Sequence, residues 1–142
     1  MGVYYSAVSG YGFVLTNEEY MNCGDLIVAR LKLADKMPKW ADSFEDEPDE
    51  FWSTFLHLGP ATASYGVDLD ILTSGSYYGD SYDLQHLVCV NGTVNDGWGF
   101  SDSQAMPPVT KYEVKDLDYI REYLGFDPET HPMGYYTGVL QS

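Results

Sequence analysis

The amino-acid sequence predicts an α+β fold: a single domain over residues 1–142, with a mainly antiparallel sheet of five or six strands and two or three helices. Segments rich in β-branched and aromatic residues, typical of strands, outnumber the segments whose apolar residues recur at helical spacing. The two kinds of segment do not alternate as they do in βαβ units, which favours antiparallel pairing. With 142 residues, 44% of them hydrophobic, the chain can bury one core.

The chain opens on a predicted strand pair. Val3–Val8 is rich in β-branched and aromatic residues, and Phe13–Leu15 resumes the same pattern. Between them lies Ser-Gly-Tyr-Gly at positions 9–12, a combination typical of a turn. We therefore expect two short strands joined at this turn.

A helix is predicted next, over residues 17–36. Thr16 stands three residues before Glu19, the spacing of a capping box, in which each side chain hydrogen-bonds the backbone N–H of the other residue. Apolar residues then recur at helical spacing, although Gly-Asp at positions 24–25 interrupts them. Pro38 closes the segment, because proline cannot continue a helix.

The densest run of acids is Asp42–Glu50, which we call the acid run. A second, shorter helix is predicted to begin near its end. Pro48 occupies a position suited to a first helical turn. The apolar stripe that follows, at helical spacing, is Phe51, Trp52, Phe55, Leu56 and Leu58. The acids lie at the N-terminal end of this helix, where the helix dipole stabilises each carboxylate by about 0.3–1 kcal/mol.

The middle of the chain predicts a meander of three strands. Apolar and polar side chains alternate strictly over residues 65–71, which is the clearest strand pattern in the sequence. Tyr82–Val90 predicts a second strand, which should form a hairpin with the first. Asn-Gly at positions 91–92 is a strong turn signal, and residues 98–100 predict the third strand.

The C-terminal part of the chain predicts a helix and a final strand. The helix spans Asp116–Leu124, with its apolar residues on one face. Gly125 is placed to end it, and Phe126 can supply the hydrophobic contact that accompanies such a cap. The last strand is Gly134–Leu140.

The chain is acidic because bases are scarce. It has 22 Asp and Glu against 7 Lys and Arg, a formal net charge of −15. The 71 residues from Trp40 to Thr110 contain no Lys or Arg. Their twelve carboxylates are Asp42, Glu45, Asp46, Glu47, Asp49, Glu50, Asp68, Asp70, Asp80, Asp83, Asp96 and Asp102. Such a surface repels phosphates, so we expect no direct binding to nucleic acid and none to anionic membranes.

We expect a cytoplasmic protein. The longest apolar runs, such as Leu26–Ala29 and Leu87–Val90, are far shorter than the roughly 20 residues of a spanning helix. The N-terminus has no basic region ahead of an apolar one, so no secretory signal is predicted. Cys23 and Cys89 are too few for a disulfide framework and are expected to be reduced thiols.

No local motif predicts an enzyme, a cofactor site or membership of a known family. The sequence lacks a phosphate-binding glycine loop, a G-x-S-x-G elbow and a C-x-x-C pair, so we expect no cofactor and no catalytic residue. The strongest metal candidates are Asp68 and Asp70, about 6.8 Å apart on one strand face. Asp80 or Asp83 could join them around a cation. The alternative is that this face is simply solvated.

The histidines do not predict a catalytic pair. His86 and Cys89 could act as base and nucleophile, but three residues along a strand place their side chains on opposite faces. His86 is therefore expected to be a core or edge histidine. His57 and His131 lie in no motif.

The charge pattern favours a binding protein. We expect an inhibitor that docks on a basic, nucleic-acid-handling protein, either an immunity protein against a nuclease toxin or a phage-type DNA mimic that blocks a nuclease. Uncompensated carboxylates accelerate such encounters, and exposed aromatic side chains can anchor them. The predicted contact residues are Asp42, Glu45, Asp46, Glu47, Asp49, Glu50, Asp68, Asp70, Asp80, Asp83, Tyr77 and Tyr78.

Three alternatives stay open. The acid run can be no more than a solvated helix N-terminus that keeps the protein soluble. The chain can be a small enzyme or a divalent-metal-binding domain that uses Asp68, Asp70, Asp80 and the histidines. It can also be a structural or assembly protein, since the sequence does not fix the oligomeric state. If the acids are functional, the acid run and the thinner set over residues 68–83 should form one continuous surface.

Overall fold

The computed structural model describes residues 5–58, 69–76, 84–96 and 109–141. The helices are α1 (Asn17–Asn22), α2 (Gly24–Leu33), α3 (Pro48–Leu58) and α4 (Lys111–Tyr123), and the strands are β1 (Tyr5–Thr16), β2 (Asp70–Ser76), β3 (Gln85–Asp96) and β4 (Gly134–Gln141). The predicted α+β class is confirmed. None of the helices in these ranges combines the length and the apolar character needed to cross a bilayer.

The four described strands pair in a ring, so that the sheet closes on itself in the order β1, β3, β2, β4. β1 runs antiparallel to β3 and β4, and β2 runs antiparallel to β3. A short parallel contact between β2 and β4 closes the ring, with Gly75 opposite Leu140. The sheet is therefore mixed but mainly antiparallel. The predicted five or six strands are too many for the described ranges, which hold four.

The predicted opening strand pair is a single strand. β1 runs from Tyr5 to Thr16 without a turn, and its register against β3 only shifts between Ser9 and Tyr11. The glycines that suggested a turn instead permit close strand packing, because a Cβ at Gly12 would lie 1.8 Å from the Val88 carbonyl oxygen. The turn prediction is wrong because these glycines are required by close contact with β3, which the local sequence does not show.

β3 also continues through a predicted turn. Asn91 and Gly92 lie inside the strand, so the turn predicted there is wrong. A Cβ at Gly92 would lie 3.2 Å from Cys89 Sγ, so this glycine also serves close packing. The predicted antiparallel pairing is confirmed, since β2 lies against β3 with Asp70 opposite Cys89. The predicted bounds of its first strand are wrong, because β2 runs from Asp70 to Ser76 and shares only residues 70 and 71 with the predicted strand. Residues 65–68 of the first predicted strand, and the whole third strand at 98–100, lie outside the described residues.

The capping box predicted at the first helix is confirmed. Thr16 Oγ1 accepts from the Glu19 backbone N–H at 3.1 Å, and Glu19 Oε1 accepts from the Thr16 backbone N–H at 3.0 Å. The predicted single helix over 17–36 is wrong in two respects. It is divided at Cys23 into α1 and α2, and α2 ends at Leu33.

α2 and α4 end in the same manner. The residue that follows each helix cap adopts the left-handed conformation, Asp35 after α2 (φ 53°) and Gly125 after α4 (φ 82°). The next residue, Lys36 or Phe126, donates its backbone N–H to a carbonyl of the last turn at 3.0 Å, which satisfies that free group. The predicted role of Gly125 is thereby confirmed.

The other two predicted helices are present. α3 begins at Pro48 and buries most of the predicted apolar stripe. α4 begins at Lys111 rather than at Asp116, because Thr110 and Glu113 form a second capping box.

The helices cover one outer side of the closed sheet. The core lies between them and the sheet residues that point outwards, Phe13, Leu15, Val88 and Val90, all at most 1% exposed. The helices contribute Tyr20, Ile27, Leu31, Phe51, Trp52, Phe55, Leu56, Leu117 and Ile120, and Cys23 adds its side chain from between α1 and α2. The interior of the ring is narrow, since glycines on β1 and β3 face Leu72, Leu87 and Cys89 across it.

Candidate functional site

Two predicted acids from distant parts of the sequence meet at one pocket. Asp49 stands near the start of α3, and Asp70 begins β2. A pocket of about 220 Å³, which we call the acidic pocket, lies between them and is lined by Asp49, Ser53, Leu56, Leu69, Asp70, Ile71 and Thr73. Both carboxylates are exposed, whereas Leu56 and Leu69 are buried. The pocket therefore has a polar, negatively charged rim and apolar walls.

Asp49 is held in place by a buried aromatic side chain. The Tyr20 hydroxyl donates a hydrogen bond to Asp49 Oδ1. Tyr20 itself is 2% exposed and stacks on Trp52, with ring centroids 5.4 Å apart. Trp52 Nε1 donates to the Tyr20 carbonyl oxygen at 3.1 Å. Asp49 is thus an exposed carboxylate on a fixed, buried support.

His86 lies behind this support. Its ring stacks on Tyr20, with centroids 3.8 Å apart. Its Nε2 lies 2.9 Å from Asn17 Oδ1, an acceptor, so Nε2 carries the proton and Nδ1 accepts from the Thr73 hydroxyl at 3.1 Å. Burial lowers the pKa of His86 to about 4, although the nearby charge of Asp49 acts to raise it. His86 is therefore neutral at pH 7.

This arrangement supports the pocket and does not form a catalytic pair. Both nitrogens of His86 are engaged inside the protein, and the side chain is 4% exposed. The prediction of a core histidine is confirmed. Its predicted separation from Cys89 is also confirmed, since His86 faces the helices, whereas Cys89 faces the interior of the ring.

The two cysteines lie in the protein interior. Both are free and buried. Burial first, and then the negative charge of Glu19 or Asp70, raises the pKa of Cys23 and of Cys89 to about 12. Both thiols are therefore protonated at neutral pH, and thiolate is the reactive form.

The remaining acids of the acid run lie in solvent and form no ion pair with a described side chain. Asp42, Glu45, Asp46, Glu47 and Glu50 are all exposed. A turn orders part of the segment, where the Ser43 hydroxyl donates to Asp46 Oδ2 at 3.0 Å. The ion pairs found between described side chains, Arg121 with Asp118 and His131 with Glu19, involve none of these acids. The acid run is therefore a negatively charged surface, and its last acids, Asp49 and Glu50, lie at the start of α3 beside the pocket.

Five predicted contact residues lie outside the described residues: Asp68, Tyr77, Tyr78, Asp80 and Asp83. Of the thinner acid set, Asp70 is the described member, and it meets the acid run at Asp49. Within the described ranges, no group of three or more His, Cys, Asp and Glu side chains is placed to hold a metal ion.

A second polar cluster ties the C-terminal loop to α1. His131 Nε2 lies 2.5 Å from Glu19 Oε2, and its Nδ1 lies 2.8 Å from Thr130 Oγ1. Arg121 donates to the His131 carbonyl oxygen at 2.9 Å. Burial alone would raise the pKa of Glu19, but hydrogen bonds from Thr16 and His131 outweigh it and lower that pKa. The cluster links three elements and borders no described pocket, which indicates a structural role.

Sequence reasoning missed the residues that support the pocket. Tyr20 and Asp49 are 29 positions apart, and His86 and Asn17 are 69 apart. No local pattern joins such residues. Comparison with protein-family models, with curated proteins and with solved structures gives no match to this chain.

Proposed function

We propose that the chain is a binding protein that inhibits a basic, nucleic-acid-handling protein by docking on its positively charged surface. The observation that carries the proposal is the convergence of Asp49 and Asp70 on one pocket whose described lining contains no Lys or Arg. The two settings that suit such an inhibitor are immunity against a nuclease toxin and a phage-type DNA mimic that blocks a nuclease.

The acidic pocket has the chemistry to receive a Lys or Arg side chain. The apolar stem of such a side chain can pack against Leu56, Leu69 and Ile71, which line the pocket. Its charged head would then reach Asp49 and Asp70, with the hydroxyls of Ser53 and Thr73 as further acceptors. Arginine suits this site best, because its planar fork bonds carboxylates in pairs.

The acid run contributes attraction at longer range. Its exposed carboxylates raise the local concentration of a basic partner and speed association by roughly 10- to 1,000-fold at low salt. Charges in solvent add little to the final affinity, because water and salt screen them. In this division of roles, the acid run brings the partner in and the acidic pocket holds it.

The test is capture of a partner followed by reconstitution. The immobilised chain is exposed to host lysate, bound proteins are identified by mass spectrometry, and the purified partner is titrated calorimetrically at low and high salt. The partner should be basic, its dissociation constant should rise with salt, and the chain should inhibit its nucleic-acid activity.

A matched pair of variants makes this test specific. Asp49→Asn with Asp70→Asn removes two charges at the acidic pocket, and Glu122→Gln with Glu129→Gln removes two exposed charges elsewhere. The first pair should weaken binding at least tenfold, and the second should leave it nearly unchanged. A partner that is not basic, or one that binds both pairs equally, would contradict the proposal.

The rival function, an enzyme or a divalent-metal-binding domain around Asp68, Asp70 and Asp80, has a test of its own. The melting temperature is measured with calcium, magnesium and manganese, for the chain and for Asp70→Asn. A rise of several degrees that Asp70→Asn abolishes would replace the inhibitor proposal. A melting temperature that none of the three cations raises would exclude the metal-binding function at Asp70 and support the inhibitor proposal.

A further inference from the structure

Charges of opposite sign occupy adjacent parts of one surface. Four of the seven bases of the chain, Arg30, Lys32, Lys36 and Lys39, lie within ten residues, which we call the basic segment. The acid run begins directly after it, with Trp40 and Ala41 between them. Lys32, Lys36 and Lys39 are exposed, and so are the six carboxylates of the acid run.

Exposed apolar side chains lie within the basic segment and directly after it. Trp40 is 92% exposed, Leu33 is 84% exposed and Met37 is 37% exposed. Single exposed apolar residues are ordinary on protein surfaces. Three within eight residues, one of them a nearly fully exposed Trp, are typical of an interface, where Trp is enriched among the residues that dominate binding.

The fold keeps the two charged parts beside each other. Lys32 of α2 and Glu45 of the acid run line the same open groove, about 620 Å³ in volume. Phe44 holds the acid run against α2, because its ring fills the space that a Cβ at Gly24 would need, 2.6 Å away. The surface is therefore bipolar: the basic segment, which also contains the exposed carboxylate of Asp35, lies beside the acid run.

We propose that residues 30–50 form a self-complementary surface through which two copies of this chain associate about a two-fold axis near Trp40. In such a pairing, the basic segment of each copy faces the acid run of the other, and the exposed side chains of Leu33, Met37 and Trp40 pack between the two copies. Two-fold interfaces require this kind of self-complementarity, because the same patch meets itself.

A second copy fits this surface better than a partner of one sign. A partner of one sign that covered the whole of residues 30–50 would be attracted by one of the two charged parts and repelled by the other. A second copy, turned by half a revolution, satisfies both parts at once. The inference goes beyond the proposed function, because it concerns the chain alone and is tested with no other protein present.

The net charge of −15 on each copy predicts an unusual salt dependence. At low salt the two copies repel each other over long distances. At physiological salt the screening length falls to about 8 Å, so the long-range repulsion is reduced while direct pairs persist. At high salt the pairs also weaken. Association should therefore be strongest at intermediate salt.

The experiment is sedimentation equilibrium of the full chain at three salt concentrations, with circular dichroism melts to confirm folding. Twice the chain mass is expected at intermediate salt. Trp40→Ala removes a side chain that is almost fully exposed, so the core is unaffected, and it should weaken association at least tenfold. Wild-type chain that stays monomeric at all three salt concentrations would overturn the proposal, as would a series of growing assemblies.

Charge reversal supplies the decisive control. Lys36→Glu with Lys39→Glu should abolish the dimer, and so should Glu45→Lys with Glu47→Lys. An equimolar mixture of these two variants should restore it, because each reversed part then faces its complement. The pair Glu122→Lys with Glu129→Lys changes charge elsewhere and should still dimerise. Dimers that persist in either reversed variant, or a mixture that stays monomeric, would overturn the proposal.

Discussion

The acidic pocket and the rest of the acid run carry the same charge on different supports. Asp49 accepts a hydrogen bond from Tyr20, which is buried against Trp52 and His86. Asp42 and Glu47 stand on an exposed segment, where the hydrogen bonds are those of a local turn. A carboxylate on a buried support is fixed before a partner arrives, whereas a solvated one must be ordered on binding, at a cost in entropy. Equal charges can therefore play unequal roles.

The largest expected effect concerns stability. Tyr20→Ala removes a buried ring from between Trp52 and His86, so it should lower the free energy of unfolding by about 3–5 kcal/mol. Glu47→Ala should change it by less than about 0.5 kcal/mol, because exposed sites are tolerant. Urea denaturation at pH 7 measures both. Similar losses of stability in the two variants would contradict the claim that Tyr20 is a buried support of the pocket, whereas Glu47 lies in solvent.

Acid should weaken the support of the pocket. The pKa of His86 is about 4 in the folded protein, whereas an unfolded histidine has 6.5, so between these pH values the unfolded chain binds more protons. The contribution of His86 to the free energy of unfolding is therefore fully present above pH 6.5. It is lost as the pH falls towards 4, by about 3 kcal/mol in all. Glu19, whose pKa is lowered, adds a further loss at still lower pH.

Urea denaturation as a function of pH measures this effect. His86→Gln keeps a polar side chain but does not titrate, so the slope between pH 6.5 and 4 should become flatter. An unchanged slope in His86→Gln would contradict the assignment of the acid sensitivity to this histidine.

The next effect separates the two groups of acids by kinetics. With a reconstituted basic partner, Asp49→Asn should raise the dissociation rate at least tenfold, equivalent to about 1.4 kcal/mol. Tyr20→Phe leaves Asp49 charged but unsupported, so it should give a smaller rise in the same direction. Surface plasmon resonance measures these rates. An effect of Asp49→Asn on association alone would assign Asp49 to steering.

The smallest effect is expected in the acid run. Glu45→Gln with Asp46→Asn should slow association a few-fold at low salt and leave dissociation unchanged, because solvated charges act mainly on encounter. The difference should disappear at high salt, since screening removes the attraction. A rise in the dissociation rate would show that these acids make lasting contacts.

The sequence was informative where structure is decided locally. The capping box at Thr16, the amphipathic α3 and the cap at Gly125 each depend on residues a few positions apart, and each was predicted correctly. The second capping box, Thr110 with Glu113, has the same spacing and could have been recognised. The final strand was also predicted, because it is rich in aromatic and β-branched residues.

The prediction failed where the cause lies across the fold. Gly12 and Gly92 suggested turns, yet they are strand residues that permit close packing inside the closed sheet. The meeting of Asp49 with Asp70 depends on how α3 packs beside β2, which no local pattern encodes. The acidity of both segments was visible in the sequence, but the pocket and its support were not.

The most direct measurement of the pocket's role is an NMR titration of the isotope-labelled chain with Nα-acetyl-arginine amide, a probe that presents one arginine side chain. Shifts should concentrate on the amides of residues 49, 53 and 70–73, which border the acidic pocket. They should disappear in the Asp49→Asn, Asp70→Asn variant and persist in Glu122→Gln, Glu129→Gln. Shifts confined to residues 42–47, or shifts that survive loss of both pocket carboxylates, would contradict a site for a cationic side chain between Asp49 and Asp70.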